Sequence, residues 1–361
     1  MIQLKTYNKK ELKYFVSSGE FRQYDFLPIT EHRALSHIHN PRATEEQTLL
    51  ILAFYEGKLA GYMGCLPDYF EVEGKIIRFA WLSTLYVSNE FRGKKVAKAL
   101  LQKALDDYNS HVIMAEFTQE AEVFFNHIGS VENIFPKNGK RYYFRLDSAT
   151  LLSEKRSWIK TFKPLLHISD SVINAFVGLK NIGTGKVKFR FETLEQMDME
   201  IKYFVSSYQC QRPVDEINYF ITNPWILEGR KKDNNYFFSS YAEVFKYVWI
   251  KIYDEQGNLE TVSLLLLRDG HLKIHYIFST GDSSLNRFIK FLNTFIIQNK
   301  IKMMTVYNET LNKSIQKSKS LATIYEKDFK RDYLFRKELL QSLPKHFNPH
   351  LQDGDGDCMM T

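Results

Sequence analysis

At 361 residues the chain exceeds what one hydrophobic core usually covers, so two domains are the starting expectation. Hydrophobic residues make up 44% of it, with 28 Phe and 21 Tyr, which supplies packed interiors and excludes a largely disordered chain. The formal charge of +7 is scattered, and the densest run, Arg230-Lys231-Lys232, stops at Asp233-Asn234-Asn235; this argues against a nucleic-acid groove and suits a small anionic ligand.

The first residues, Met1-Ile2-Gln3-Leu4-Lys5, alternate at once and lack the apolar core and small cleavage residues of a secretion signal. No apolar run reaches bilayer length, so a cytoplasmic protein without a membrane segment is expected. The three cysteines, Cys65, Cys210 and Cys358, are far apart and without CxxC spacing, which speaks against a disulfide framework and against a metal site.

Along the chain, Lys13-Tyr14-Phe15-Val16-Ser17-Ser18 recurs as Lys202-Tyr203-Phe204-Val205-Ser206-Ser207, each inside a helix-like stretch. Each copy precedes an Asn-Pro, at Asn40-Pro41 and Asn223-Pro224. Each is then followed by a strand pair turning at Tyr55 to Leu59 and at Tyr253 to Leu259. Three features in the same order imply two related domains.

The segment that carries the chemistry runs from Phe79 to Tyr108. Phe79 to Val87 has the β-branched and aromatic content of a buried strand, Ser88 to Lys95 is a polar loop, and Val96, Ala97, Leu100, Leu101, Ala104 and Leu105 form one helical stripe. Strand, glycine-containing basic loop and helix place unpaired N–H groups at a helix N-terminus beside Arg92, Lys94 and Lys95, an arrangement that favours a phosphate. From spacing alone, a plain β–α connection with a solvated loop fits equally well.

Leu85 to Leu101 resembles the acyl-CoA signature of the Gcn5-related N-acetyltransferases (GNAT), whose loop reads Arg/Gln-x-x-Gly-x-Gly/Ala. Arg92 and Ala97 fill its first and last positions, and Lys95 stands where that family usually has glycine. The resemblance continues through His111 to Phe117, similar to the family's fifth strand, and through Thr118 to Gly129, similar to its next helix. There Thr118 falls at the usual Asn and Phe125 at the usual Tyr.

The resemblance implies a mixed α+β fold: two GNAT-like domains, each with a central, mainly antiparallel sheet flanked by helices. It implies acetyl-CoA or another acyl-CoA as co-substrate and an amine-bearing acceptor as partner. Leu85, Tyr86 and Val87 would contact the pantetheine arm, and Arg92, Gly93, Lys94, Lys95, Val96 and Ala97 the pyrophosphate, with Thr118 and Phe125 nearby. In the family the tyrosine at the place of Phe125 often protonates the departing thiolate, which phenylalanine cannot do; a thiol ionises near pH ~8.5, so CoA can leave as the thiolate.

An acceptor amine must lose a proton before attack. The candidate bases are Glu116 at the end of the fifth strand, Asp68 and Glu71 after the second, and Ser83 or Thr84 acting through water; the ordinary reading of each carboxylate is a solvated strand-end residue. His111 and His127 read as surface histidines.

The expected divisions are a first domain over 1–147, a helical connector over 148–186, a degenerate second domain over 187–343, and a flexible acidic tail over 344–361 ending Asp353-Gly354-Asp355-Gly356-Asp357. In the second domain, Leu272 to Phe278 leads through Ser279 to Ser284 into a helix without the basic cluster, so no CoA site is expected there. Two further readings remain: a Fem-like aminoacyl-transferase using charged tRNA, and an acyl-CoA-binding module without activity.

Overall fold

The computed structural model describes residues 1–115, 117–145, 187–233 and 235–360. The expected helical connector, 148–186, lies outside the described residues.

The chain starts with β1 (Ile2–Tyr7), α1 (Lys9–Ser17), α2 (Glu31–His39), β2 (Leu50–Tyr55), β3 (Lys58–Val72), β4 (Lys75–Val87), α3 (Val96–Asp107), β5 (Val112–Met114), α4 (Gln119–Ile128), β6 (Val131–Asn133) and β7 (Lys137–Tyr143). It resumes with β8 (Phe191–Leu194), α5 (Met199–Val205), α6 (Val214–Thr222), β9 (Leu227–Glu228), β10 (Tyr241–Ala242), β11 (Phe245–Tyr253), β12 (Leu259–Arg268) and β13 (His271–Ser279). It closes with α7 (Asp282–Gln298), β14 (Met303–Val306), α8 (Glu309–Ser318), β15 (Tyr325–Arg331), β16 (Leu334–Arg336) and α9 (Lys337–Gln341).

Two compact units result. The first comprises residues 1–137, 209–243 and 331–361, the second 138–208 and 244–330. The first unit holds a sheet in the order β1-β2-β3-β4-β5-β16-β6, antiparallel along β1 to β4 and parallel only where β4 meets β5. The second holds one in the order β15-β7-β14-β13-β12-β11-β8, parallel where β13 meets β14. These units differ from the linear domains expected at 1–147 and 187–343. Strand β16, from the far end of the chain, lies between β5 and β6 in the first sheet, and β7, from the first half of the sequence, lies between β14 and β15 in the second. Short strands such as these find their neighbours through tertiary pairing, which local sequence does not encode.

The internal repeat falls on equivalent elements. Its two copies lie on α1, after β1, and on α5, after β8, and the helices are capped alike by Asn8 and Asp198, whose side chains accept from Glu11 and Ile201 N–H. Asn40-Pro41 follows α2, and Asn223-Pro224 follows α6. The turn between β2 and β3 uses Glu56 and Gly57, both at positive φ, as a two-residue hairpin of the right-handed twist requires.

In the first unit the sheet buries both faces. Ile51, Ala53, Met63 and Cys65 pack with Val96, Leu100 and Ala104 of α3, while Leu50, Leu52 and Tyr62 pack with Leu12 and Phe15 of α1 and Ala34 of α2. The period of two along β2 thus divides its residues between the α3 face and the α1/α2 face. Each large apolar side chain so buried contributes about 1.5–3 kcal/mol.

Of the residues expected to form a flexible tail, those from Leu351 to Met360 are almost all buried, while most from Pro344 to His350 are exposed. Asp353 pairs with Arg331, Asp355 lies 3.8 Å from the Arg212 Nε, and Gly356 rests on the ring of Trp81, where even a Cβ would come within 3.0 Å. The alternation of Asp and Gly reads as solvated because the arginines that neutralise it lie elsewhere in the sequence.

Candidate functional site

The site is built on the C-terminal half of β4. From Ala80 to Leu82 this strand pairs with Val112 to Met114 of β5, and there β5 ends. From Ser83 to Val87, β4 keeps β3 on one edge, while no strand flanks its other edge among the described residues. A splayed pair of parallel strands leaves backbone N–H and C=O groups open to an extended ligand.

Within that stretch β4 is bulged. Gly64 faces Ser83 and Tyr62 faces Tyr86, so two steps along β3 span three along β4, and Thr84 takes a φ of 50°. Positive φ in a β-branched residue is a rare conformation that surrounding structure must hold in place. Glycines on β3 permit it: a Cβ on Gly64 would lie 2.7 Å from Ser83 Oγ and 2.9 Å from Thr84 Oγ1, and one on Gly61 would lie 2.5 Å from the Tyr86 carbonyl oxygen. Glycine in a strand interior marks such close approaches, and these two were the sequence signal for the bulge.

After Val87 a single turn of 3-10 helix, Asn89–Phe91, leads into the loop. Phe91 is buried, whereas Arg92, Gly93, Lys94 and Lys95 are exposed. Gly93 has a φ of 81° and Lys95 one of 63°. The family glycine at the place of Lys95 thus answers a backbone requirement, which lysine meets here at a cost. Helix α3 begins at Val96 with no side chain capping its first turn, in contrast to α1, α2 and α8, capped by Asn8, Thr30 and Asn308. Its first N–H groups are therefore open to an external anion. Lys94 lies over the Tyr55 and Phe91 rings, at 4.5 and 5.1 Å, and the Arg92 charge is felt by Tyr86 and Glu120.

Leu85, Tyr86 and Val87 are half-buried on the open stretch. Leu85 and Val87 pack toward α3, and Tyr86 packs toward the α1/α2 face. Val96 is buried in the core, so only its backbone faces the loop, and Ala97 is half-buried beside it. Thr118 is exposed, and its hydroxyl accepts from Ala121 N–H at 3.3 Å at the start of α4. Phe125 is buried, its ring 6.2 Å from Phe117 and 5.5 Å from Phe124.

Among the candidate bases, Glu116 and the side chain of His127 lie outside the described residues. Ser83 is buried, and its Oγ has no hydrogen-bond partner among the described residues. Asp68 lies inside β3 rather than after it, because that strand continues to Val72. It is fully buried between Arg42 at 2.7 Å, Arg212 at 2.5 Å and the Trp81 Nε1 at 2.8 Å. Burial opposes its charge, yet Arg212 and Arg42 hold the carboxyl below its ordinary range. Asp68 is thus the centre of a structural ion network and offers no free lone pair to an amine. Glu71 is exposed on the distal arm of the β3–β4 hairpin, opposite Ile76. His111 is half-buried at the start of β5 against the Arg78 carbonyl, at 3.2 Å.

Sequence reasoning missed the face of the sheet opposite α3. There the residues after α6 cover Tyr62 and Tyr86: the Tyr86 and Phe237 rings stack at 3.9 Å, and those of Tyr62 and Tyr236 lie parallel at 6.4 Å. His37 stacks on Trp225 at 5.3 Å, with its Nδ1 3.1 Å from the Cys65 carbonyl oxygen. A carbonyl accepts only, so Nδ1 carries the proton. Burial, and then the charge of Arg33, push the imidazole down to about 3.

Residues 15–128 match the family model for the acetyltransferase (GNAT) family. A sequence search of curated proteins returns no match. In fold the chain is similar to a conserved protein of Enterococcus faecalis described as a probable N-acyltransferase, at 10% identity and a TM-score of 0.50 over 93% of this chain and 73% of that one. It is similar also to a tandem GNAT protein from the clavulanic acid biosynthesis pathway, at 10% identity and a TM-score of 0.51 over 92% of this chain and 98% of that one. At such identity the likeness is one of fold, and it bears out the mixed α/β class and the tandem arrangement read from the repeat.

Proposed function

We propose, from the match of residues 15–128 to the acetyltransferase (GNAT) family model, that this chain transfers an acetyl or other acyl group from CoA to a primary amine at the corner between β4 and α3. The observation that carries this reading is the uncapped start of α3, with Lys95 left-handed before it and exposed Arg92, Lys94 and Lys95 around it. The pyrophosphate would accept from the N–H groups of Gly93 and of Lys95 to Ala97, the Lys94 N–H being given to the Phe91 carbonyl, while those cations neutralise it. Val96 would contribute its backbone alone.

The pantetheine arm would lie along Leu85, Tyr86 and Val87, where β4 has a free edge, and bring the thioester to the bulge at Thr84. There a backbone N–H turned out of the ladder by the bulge would stabilise the tetrahedral oxyanion. The neutral amine attacks the thioester carbonyl, its nitrogen–carbon bond forms, the carbon–sulfur bond breaks, and the amine proton passes to a base. Glu116 is proposed as that base, with Ser83 and Thr84 acting through water. Phe125 supplies no proton, so CoA leaves as the thiolate. Thr118 would set the start of α4 beside the arm. No metal takes part in this scheme, and a cytoplasmic setting would supply the acyl-CoA. Among the described residues, no helix is long and apolar enough to cross a membrane.

A module that binds acyl-CoA without transferring it is the second reading, favoured by the buried phenylalanine at position 125. Calorimetry with acetyl-CoA and thiol release across a panel of amines separate the two. Heat with thiol release is expected; heat without release across the panel points to the module, and no heat at all removes both. A thermal shift produced by charged tRNA alone would instead point to the aminoacyl-transferase reading.

A further inference from the structure

Five arginines of the first unit are buried: Arg33, Arg42, Arg212, Arg331 and Arg336. Arg42 and Arg212 pair with Asp68, Arg331 with Asp353 and Arg336 with Glu338. Arg33, only 3% exposed, has no carboxylate within ion-pair distance among the described residues. Its guanidinium lies 3.9 Å from the Trp225 ring and donates to the Tyr236 hydroxyl at 2.6 Å, and its Nε–H is buried without an acceptor among the described residues. Asp233 acts on Tyr236 and His32 through space, and its Oδ2 is buried without a donor among the described residues, but it forms no ion pair with Arg33.

The two neighbouring phenols are donors as well. Tyr62 is wholly buried, and its hydroxyl has no partner among the described residues and lies in the field of Arg33. Tyr236 uses its oxygen to accept from Arg33, which leaves its proton to give. Asp233 pairs with none of them, so a buried guanidinium and two phenols with protons to donate cost free energy unless a further acceptor is supplied.

The cluster is also placed for the reaction. Tyr62 on β3 faces Tyr86 on β4, two residues from the bulged Thr84. At about 3.4 Å per residue that is about 7 Å along the strand. Phe237, stacked on Tyr86 and 55% exposed, brings the rim of the cluster to solvent.

We propose that the acceptor carries a carboxylate besides its amine, an amino acid or similar amino-carboxylate, and that Arg33, Tyr62 and Tyr236 bind this carboxylate while the amine reaches the thioester at Thr84. The inference rests on the CoA reading above and deepens it. The aromatic rings exclude water around the ion pair, which strengthens it.

The test is thiol release from acetyl-CoA by the full chain with the common amino acids, each beside its primary amide and its decarboxylated amine. Calorimetry with CoA is run in parallel. At least one amino acid is expected to exceed its amide in kcat/KM by about tenfold or more, the scale of a hydrogen bond to a charged group. Tyr62→Phe removes only an unpartnered hydroxyl, so a purely structural Tyr62 predicts no loss. The acceptor role predicts a KM for the amino acid about tenfold higher, with the KM for acetyl-CoA unchanged. Arg33→Gln, checked for an unchanged melting temperature, should abolish the preference for the acid over the amide. Equal use of acids and amides, no turnover of any amino acid by a protein that binds CoA, or an unaltered preference in Tyr62→Phe would each overturn the proposal. Absence of heat from CoA is a separate result, which removes the CoA reading and this inference with it.

Discussion

The two sheets of this protein turn the same corner with different chemistry. In the first, β4 runs through a loop of eight residues into α3; in the second, β13 reaches α7 through Thr280 and Gly281 alone. Both strands pair in parallel with a neighbour over three residues only, and both are irregular beyond that pairing, at Thr84 and at His275. The helix in the first sheet begins uncapped amid Arg92, Lys94 and Lys95. The helix in the second likewise has no side chain capping its first turn, but it carries Asp282 there in place of the cations, and Ser284 Oγ accepts from Gly281 N–H and donates to the Gly281 carbonyl. A helix N-terminus supplies a dipole and free N–H groups in either case. Whether an anion binds depends on the charge the chain sets around that end, cationic at the first corner and acidic at the second.

The largest effect should come from making the first corner resemble the second. Lys95→Asp keeps a residue that tolerates the left-handed conformation but puts a carboxylate at the start of α3; the dissociation constant for CoA should rise about a hundredfold, the scale of two lost charge-assisted bonds. Asp282→Lys, the reverse exchange, should create no second CoA site, because one lysine does not replace the three cations and the eight-residue loop of the first corner. Titration calorimetry on both variants reads the outcome, and a second binding event in Asp282→Lys would break the comparison. A smaller loss, of about tenfold in CoA affinity with little change in melting temperature, is expected for Arg92→Ala, whose side chain is exposed.

The first unit should also show its own acid response. His37 has a folded pKa of about 3, below its ordinary value near 6.5, so the unfolded chain binds more protons between those limits. Stability is present in full above about pH 6.5 and falls as pH drops toward 3, by about 1.4 kcal/mol per unit from this group. Asp68, also held low, adds to the loss at the acid end of that window. Urea unfolding at pH 7, 5.5 and 4.5 checks this: His37→Gln should flatten the slope, and an unchanged slope would remove His37 as its source. The smallest effect is expected for Lys95→Gly. Relief of the left-handed lysine should exceed the added freedom of the unfolded chain and raise stability by about 0.5 kcal/mol. A lower melting temperature would mean that Lys95 is held by more than its backbone.

The corner was legible in the sequence because its parts are local. A β-rich run, a basic loop with one glycine and an apolar stripe at helical spacing required only neighbours along the chain, and the departure at Lys95 pointed to a backbone position that the φ of 63° explains. The repeat was legible for the same reason, since both copies fall on the first helix after a first strand. What was not legible depends on residues far apart. Asp68 reads as a strand-end carboxylate until Arg42 and Arg212 enclose it, and the residues from Asp353 to Asp357 read as solvated until Arg331, Arg212 and the Trp81 ring meet them. Arg33 and Tyr62 gave no sequence signal, because an arginine in a helix and a tyrosine in a strand are ordinary; their meaning lies in the carboxylate they lack.

The central claim, that an anionic cofactor occupies the first corner and not the second, is tested most directly by amide hydrogen exchange with and without CoA. Slowed exchange is expected at Gly93 to Lys98 and along Ser83 to Val87, with Ser279 to Leu285 unchanged. Protection at Ser279 to Leu285, or none at Gly93 to Lys98 under saturating CoA, would contradict the account.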